Sequence, residues 1–158
     1  NYKIYNNYTF FLTLLIIFFS KISFSETLKP DPVLLPEEVI SIQLIALQNN
    51  NIPYKNAGIE QTWEFAHPSN RIFTGPLTKF ISMMNAPSYS MILNHLNHNI
   101  IFINKNEFQS FYFVELIDNK GVKFGFQWIV EKVLEKGKYE KCWMTTTVSL
   151  PLLLSKSA

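Results

Sequence analysis

Cysteine, glycine and charge are all scarce in this chain. The single cysteine among 158 residues, Cys142, cannot form an internal disulfide or complete a thiolate metal site. With five glycines and no heptad pattern, collagen-like and coiled-coil classes are excluded. Charged residues make up 16% and apolar residues 47%, so the chain has ample material to bury and is not intrinsically disordered. No Gly-x-Ser-x-Gly elbow, Walker loop, His-Glu-x-x-His or dinucleotide fingerprint occurs. Acidic residues are missing altogether before Glu26.

That last absence marks a boundary. Lys3 precedes an almost uninterrupted apolar run from Phe10 to Phe19, too short for the ~20 residues of a membrane-spanning helix. Ser23-Phe24-Ser25 resembles the small-x-small end of a secretory leader, so residues 1–25 are expected to be a signal peptide. An uncleaved anchor and an organelle-targeting leader are the competing readings. Lys3 and Lys21 account for two of the 14 basic residues, and without them 12 basic residues face 12 acidic ones. A formally neutral domain lacks the basic footprint of a nucleic-acid binder. The expected location is secreted or lumenal, with membrane contact only through an uncleaved leader.

Residues 26–35, with Pro30 and Pro32, read as a linker, residues 36–150 as one domain, and 151–158 as a tail. Pro36-Glu37-Glu38 predicts a helix start, with Val39, Ile42 and Ala46 on one stripe that Leu44 and Leu47 widen, up to Gln48. A second helix is expected from Gly58 to Ala66, stopped by His67-Pro68, and a third from Pro76 to Met84. After Pro87 the period falls to two. The alternation of Val122, Phe124, Phe126, Trp128 and Val130 is the clearest strand, and Phe108–Ile117 is its antiparallel partner through an Asp118-Asn119-Lys120-Gly121 turn. That register puts Tyr112, Val114 and Leu116 beside Trp128, Phe126 and Phe124, and turns Glu115 outward. The expected fold class is α+β, with three N-terminal helices against an antiparallel sheet of about four strands. The outward face, with Phe111, Phe113, Ile117 and Ile129, is apolar enough that a second copy is expected to cover it.

The string Gly58-Ile59-Glu60-Gln61-Thr62-Trp63-Glu64-Phe65-Ala66-His67-Pro68-Ser69-Asn70-Arg71, followed by Thr74-Gly75-Pro76, resembles the signature of an uncharacterised bacterial and plastid-type family. That family has been placed in the nuclear transport factor 2-like, cystatin-like superfamily. Gln127-Trp128 and Cys142-Trp143-Met144 are similar to the family's closing strands, and the similarity spans about residues 36–149. The resemblance implies a curved sheet folded around helices into a cone with an apolar pocket, often dimeric. It implies no activity, because the superfamily mixes enzymes with inert binding modules.

The function expected is a binding or interaction module without cofactor, whose pocket is lined by Trp63, Tyr112, Phe126 and Trp128 and takes a small apolar or anionic ligand. Arg71 can hold an anion, with His67 and Asn70 beside it; the competing reading makes Ser69 and Asn70 turn formers and pairs Arg71 with Glu60 or Glu64. One alternative is a lyase, isomerase or hydrolase with His67 or Glu115 as general base. Another is an assembly partner of a membrane complex that docks through the outer sheet face. No metal site is expected: if residues 94–98 are extended, His95 and His98 point to opposite faces. Cys142 reads as a buried structural thiol.

Overall fold

The computed structural model describes residues 26–155; the leader reading falls on residues outside that range. Among the described residues the fold is α+β, with four helices followed by a five-stranded antiparallel sheet that does not close. The helices are α1 (Pro36–Gln48), α2 (Ala57–Glu64), α3 (Pro68–Thr74) and α4 (Leu77–Asn85), with a 3-10 turn at Ser90–Ile92. The strands are β1 (Asn97–Lys105), β2 (Gln109–Ile117), β3 (Lys123–Lys132), β4 (Trp143–Val148) and β5 (Leu152–Ser155). Among the described residues no helix is long and apolar enough to cross a membrane.

α1 starts where the sequence says. Pro36 takes an early position that needs no N–H, and Glu38 accepts the Leu35 N–H at 2.7 Å. The buried face keeps Val39, Leu44 and Leu47 of the expected stripe and adds Ile40 and Gln43, leaving Ile42 and Ala46 partly exposed and Ile45 exposed. Apolar residues occur all round this helix, so the period could not choose the face. Contact with α2 does: Gly58 sits so close that a Cβ there would run into the Ala46 carbonyl and the Asn50 backbone. The Asn50 side chain then accepts the Ile59 N–H at 3.0 Å, locking the two helices together.

The expectation of three helices is corrected by α3. Pro68 does not merely stop the preceding helix, which has already ended at Glu64; it opens a new turn, the role for which proline's fixed φ suits a first helical position. Ser69 and Asn70 therefore lie inside a helix instead of turning the chain. Thr74, Gly75 and Pro76 form the expected entry to the next helix, Gly75 ending α3 and Pro76 preceding α4.

The central hairpin has the predicted register, Tyr112 opposite Trp128, Val114 opposite Phe126 and Leu116 opposite Phe124. Its turn closes through Asp118, which accepts the Lys120 and Val122 N–H groups at 2.8 Å, while Gly121 takes φ +82°. β4 pairs with one half of β3 and β5 with the other, and each carries one bulged extra residue, Thr146 in β4 opposite Ile129/Val130 and Leu154 in β5 opposite Lys123/Phe124. The tail is thus partly a strand. The segment read as a linker is also tied down, since Leu28 exchanges two hydrogen bonds with Gln61 and Lys29 pairs with Glu64 at 3.1 Å.

The inner face of the sheet, Tyr112, Val114, Leu116, Phe126, Trp128 and Val130, is buried under Val39, Ile40, Leu44 and Leu47 of α1 in one core cluster. Each such side chain contributes ~1.5–3 kcal/mol of burial. On the outer face Phe111, Phe113, Ile117 and Ile129 are half-buried, and Phe113 fills the space over Gly125 where a side chain would clash. A separate small cluster of Val133, Cys142 and Met144 closes the far end.

Candidate functional site

Between α1, α2, α3, α4 and the inner face of β3 and β4 lies a cavity of about 90 Å³. Leu47, Phe80, Met84, Ile92 and Trp128 form its apolar wall, and Gln43, Thr62 and Thr145 its buried polar side. Asn70, Thr74, Met83, Tyr89 and Val148 also line it and are half-exposed, which places its mouth there. The space is large enough for several waters or a small ligand.

The polar side is one connected relay. The Trp128 indole N–H donates to Thr145 Oγ1 at 3.1 Å, the Thr145 hydroxyl donates to Gln43 Oε1 at 2.6 Å, and Gln43 Nε2 donates to the Thr62 carbonyl at 3.1 Å. Thr62 in turn donates its hydroxyl to the Gly58 carbonyl at 2.8 Å. Burial without partners costs a polar group ~1–3 kcal/mol, so the relay removes that penalty for four elements at once. It still leaves valences: one Gln43 N–H and a lone pair on Thr145 are not used by these bonds. The sequence reading missed Gln43, Thr62 and Thr145. The only signal was an amide in the middle of the apolar face of α1.

The string from His67 to Arg71 lies beside the cavity and mostly serves the backbone. His67 is 6% exposed; its Nδ1 caps α3 by accepting the Ser69 N–H at 3.1 Å, with the Ser69 hydroxyl 2.8 Å away. The neutral ring therefore carries its proton on Nε2. Desolvation pushes the His67 pKa below its ordinary value, against a weaker opposing field from Glu131 and Glu135. His67 N–H donates to the Thr145 carbonyl at 2.8 Å, and Thr145 N–H to Phe65, so the bend runs alongside β4 as a short parallel bridge.

Arg71 donates to the carbonyls of Ala66 (2.9 Å), Trp63 (2.8 Å) and Glu64 (3.0 Å), so it closes the end of α2. Its guanidinium also stacks 5.0 Å from the Trp63 ring centre. The expected pairing with Glu60 or Glu64 carboxylates is replaced: Glu60 accepts from the Tyr54 hydroxyl and Glu64 pairs with Lys29. Asn70 is the member of the string that lines the cavity, with Nδ2 3.4 Å from the Thr145 carbonyl.

Of the other residues singled out by sequence, Trp128 lines the cavity. Tyr112 and Phe126 belong to the core away from it, and Trp63 packs on Phe80 with ring centres 5.1 Å apart. Glu115 faces outward, paired with Lys123 at 3.1 Å, so neither candidate base, His67 or Glu115, lines the cavity. Burial raises the Cys142 thiol's pKa, the opposite of what a nucleophile needs.

The expectation that His95 and His98 diverge is overturned. Asn94 takes φ +54°, which breaks the extended run, and His95 Nε2 lies 2.7 Å from His98 Nδ1. His95 Nδ1 is 2.7 Å from the Ile92 carbonyl and must donate to it, so His95 Nε2 accepts and His98 Nδ1 donates. Desolvation, opposed by the Ile92 bond, holds the His95 pKa down to about 4. Among the described residues no group of three His, Cys, Asp or Glu is placed to hold a metal.

Comparison of the chain with family models, curated proteins and solved structures finds no match.

Proposed function

We propose that this protein is a binding module for a small uncharged molecule that carries one carbonyl, amide or hydroxyl group, and that it works in a secretory or organellar lumen after loss of its leader. The observation that carries this reading is the Trp128–Thr145–Gln43 relay set into the wall of an otherwise apolar cavity. A pocket of that kind holds its ligand by apolar contact and orients it with a few polar groups. No charged side chain lines the cavity, and Arg71 spends its donors on backbone carbonyls, so the ligand is neutral where the sequence allowed an anion. The resemblance to the nuclear transport factor 2-like superfamily supports the same reading, since its cone places an apolar pocket between sheet and helices.

The test is a set of small ketones, amides, alcohols and carboxylates followed by ¹H–¹⁵N NMR of the full chain. Neutral members are expected to shift the Trp128 indole and Gln43 side-chain amide signals. Val148→Phe, which narrows the mouth, should abolish those shifts while the remaining spectrum stays folded. A preference for carboxylates, or shifts confined to the outer sheet face, would overturn the proposal.

A further inference from the structure

β1 pairs with β2 along one side, and among the described residues nothing pairs with its other side. The far side of the sheet is treated differently. There β4 is bridged by the Phe65–His67 bend, and β5 is only four residues long. β1 is nine residues long and its middle is apolar, with Ile101, Phe102 and Ile103 exposed by 36%, 55% and 60%. Natural edge strands are usually blunted by proline, inward charge, several lysines or a bulge. β1 has no proline and no Asp, Glu, Lys or Arg before its last residue, Lys105, and its bulge, the extra residue Ile103, lies beyond the stretch Asn99–Phe102.

The hydrogen bonds show which groups are left open. His98 N–H goes to the Asn97 side chain at 2.8 Å instead of to β2, and at the far end Lys105 N–H goes to the Asn104 side chain at 2.7 Å. Antiparallel pairing directs backbone groups of alternate residues to opposite sides, so Ile100 and Phe102 share the outward direction of His98. Two asparagines thus satisfy the ends of the edge, and among the described residues the apolar stretch between them keeps unpaired peptide groups.

We infer that β1 pairs antiparallel with β1 of a second copy of this chain, about a two-fold axis at Ile101, joining the two sheets edge to edge. Ile100 then faces the partner's Phe102, and Phe102 the partner's Ile100, each pair exchanging both of its backbone bonds. Ile101 meets the partner's Ile101 on the outer face. On the inner face Phe102, which stacks on Tyr112 with ring centres 5.7 Å apart, gains cover from the partner's Ile100. Charge favours this arrangement over parallel pairing: β1 carries no acidic residue, and because the bulge residue Ile103 adds no step along the ladder, the two-fold sets Lys105 opposite the partner's His98, with the two lysines ~20 Å apart at ~3.3 Å per residue. That is well beyond the ~8 Å screening length of physiological salt. Parallel pairing would stack Lys105 on the partner's Lys105. This contact differs from a dimer through the outer sheet face, and it does not depend on what the cavity binds.

The test combines sedimentation velocity with amide hydrogen exchange on the full chain at low and high protein concentration. The expected result is a species of twice the 18.4 kDa chain mass whose population rises with concentration. The Ile100 and Phe102 amides should become protected in step with it. Ile100→Pro removes one outward N–H at an edge position that tolerates proline, and should leave a monomer with unchanged circular dichroism. If that variant does not fold, Ile101→Lys decides, because it sets two charges against each other at the axis. A monomer at every concentration overturns the inference. So does a dimer in which the Ile100 and Phe102 amides stay unprotected, or one that Ile129→Lys on the outer face dissolves while Ile101→Lys leaves it intact.

Discussion

Two groups of polar residues meet at β4, and they are put together in opposite ways. His67, Ser69, Asn70 and Arg71 are contiguous in the chain, dense enough to look like a site, and largely occupied with capping α3, closing α2 and holding the bend against β4. Gln43, Thr62, Trp128 and Thr145 are scattered, the Gln43–Thr145 bond joining positions 102 residues apart, and they form the polar side of the cavity. Density along the chain marks the first group because helix ends and tight turns consume polar side chains locally. Convergence marks the second, because a buried polar group must find partners wherever the fold brings them.

Thr145→Val tests this contrast with the largest effect. The substitution keeps the shape but removes the hydroxyl, leaving the Trp128 N–H and Gln43 Oε1 without their partner at a cost of about 2–4 kcal/mol. Urea denaturation measures it. Adding Gln43→Leu should cost less than the two single changes summed, since the second change removes one of the orphaned groups. Strict additivity would show that the relay is not one unit.

Arg71→Ala comes next. Losing charge-assisted bonds to three carbonyls and the stack on Trp63 should destabilise by about 2 kcal/mol, and Arg71→Lys should recover less than half, because an ammonium cannot reproduce the planar fork. Unchanged stability with altered ligand binding would move Arg71 from scaffold to site and erase the distinction between the two groups.

The smallest effect is a slope with pH. All three histidines have pKa values lowered by desolvation, His95 to about 4. A group that holds its proton less well folded than unfolded makes the unfolded chain the better proton binder between the two pKa values. Stability contributed by His95 is therefore present above its unfolded value of 6.5 and is lost as pH falls towards about 4. His95→Gln should flatten that decline, and a wild-type curve already flat across the window would refute the buried His95–His98 pair.

Much of the sheet was legible because its determinants are local. Period-two alternation and the Asp118–Gly121 turn specified the β2–β3 register residue by residue. The helix starts at Pro36 and near Pro76 were equally readable from proline and carboxylate placement. The candidate pocket was not. Trp128 and Asn70 line it, whereas Trp63, Tyr112 and Phe126 went to packing, since an aromatic ring looks the same in sequence whether it fills a core or faces a hollow. His95 and His98 were misjudged because one residue, Asn94, takes a left-handed conformation that no periodicity reports.

The amino-acid order alone settled where the helices give way to strands, how the central hairpin aligns and which of its faces turns inward, because each depends on neighbours a few residues apart. Tertiary structure decided which side of α1 is buried, that Pro68 opens a helix, and that an amide, two threonines and an indole from four separate elements share one chain of hydrogen bonds. Those outcomes depend on close approach between distant segments, such as Gly58 against Ala46, and no local pattern encodes such distances.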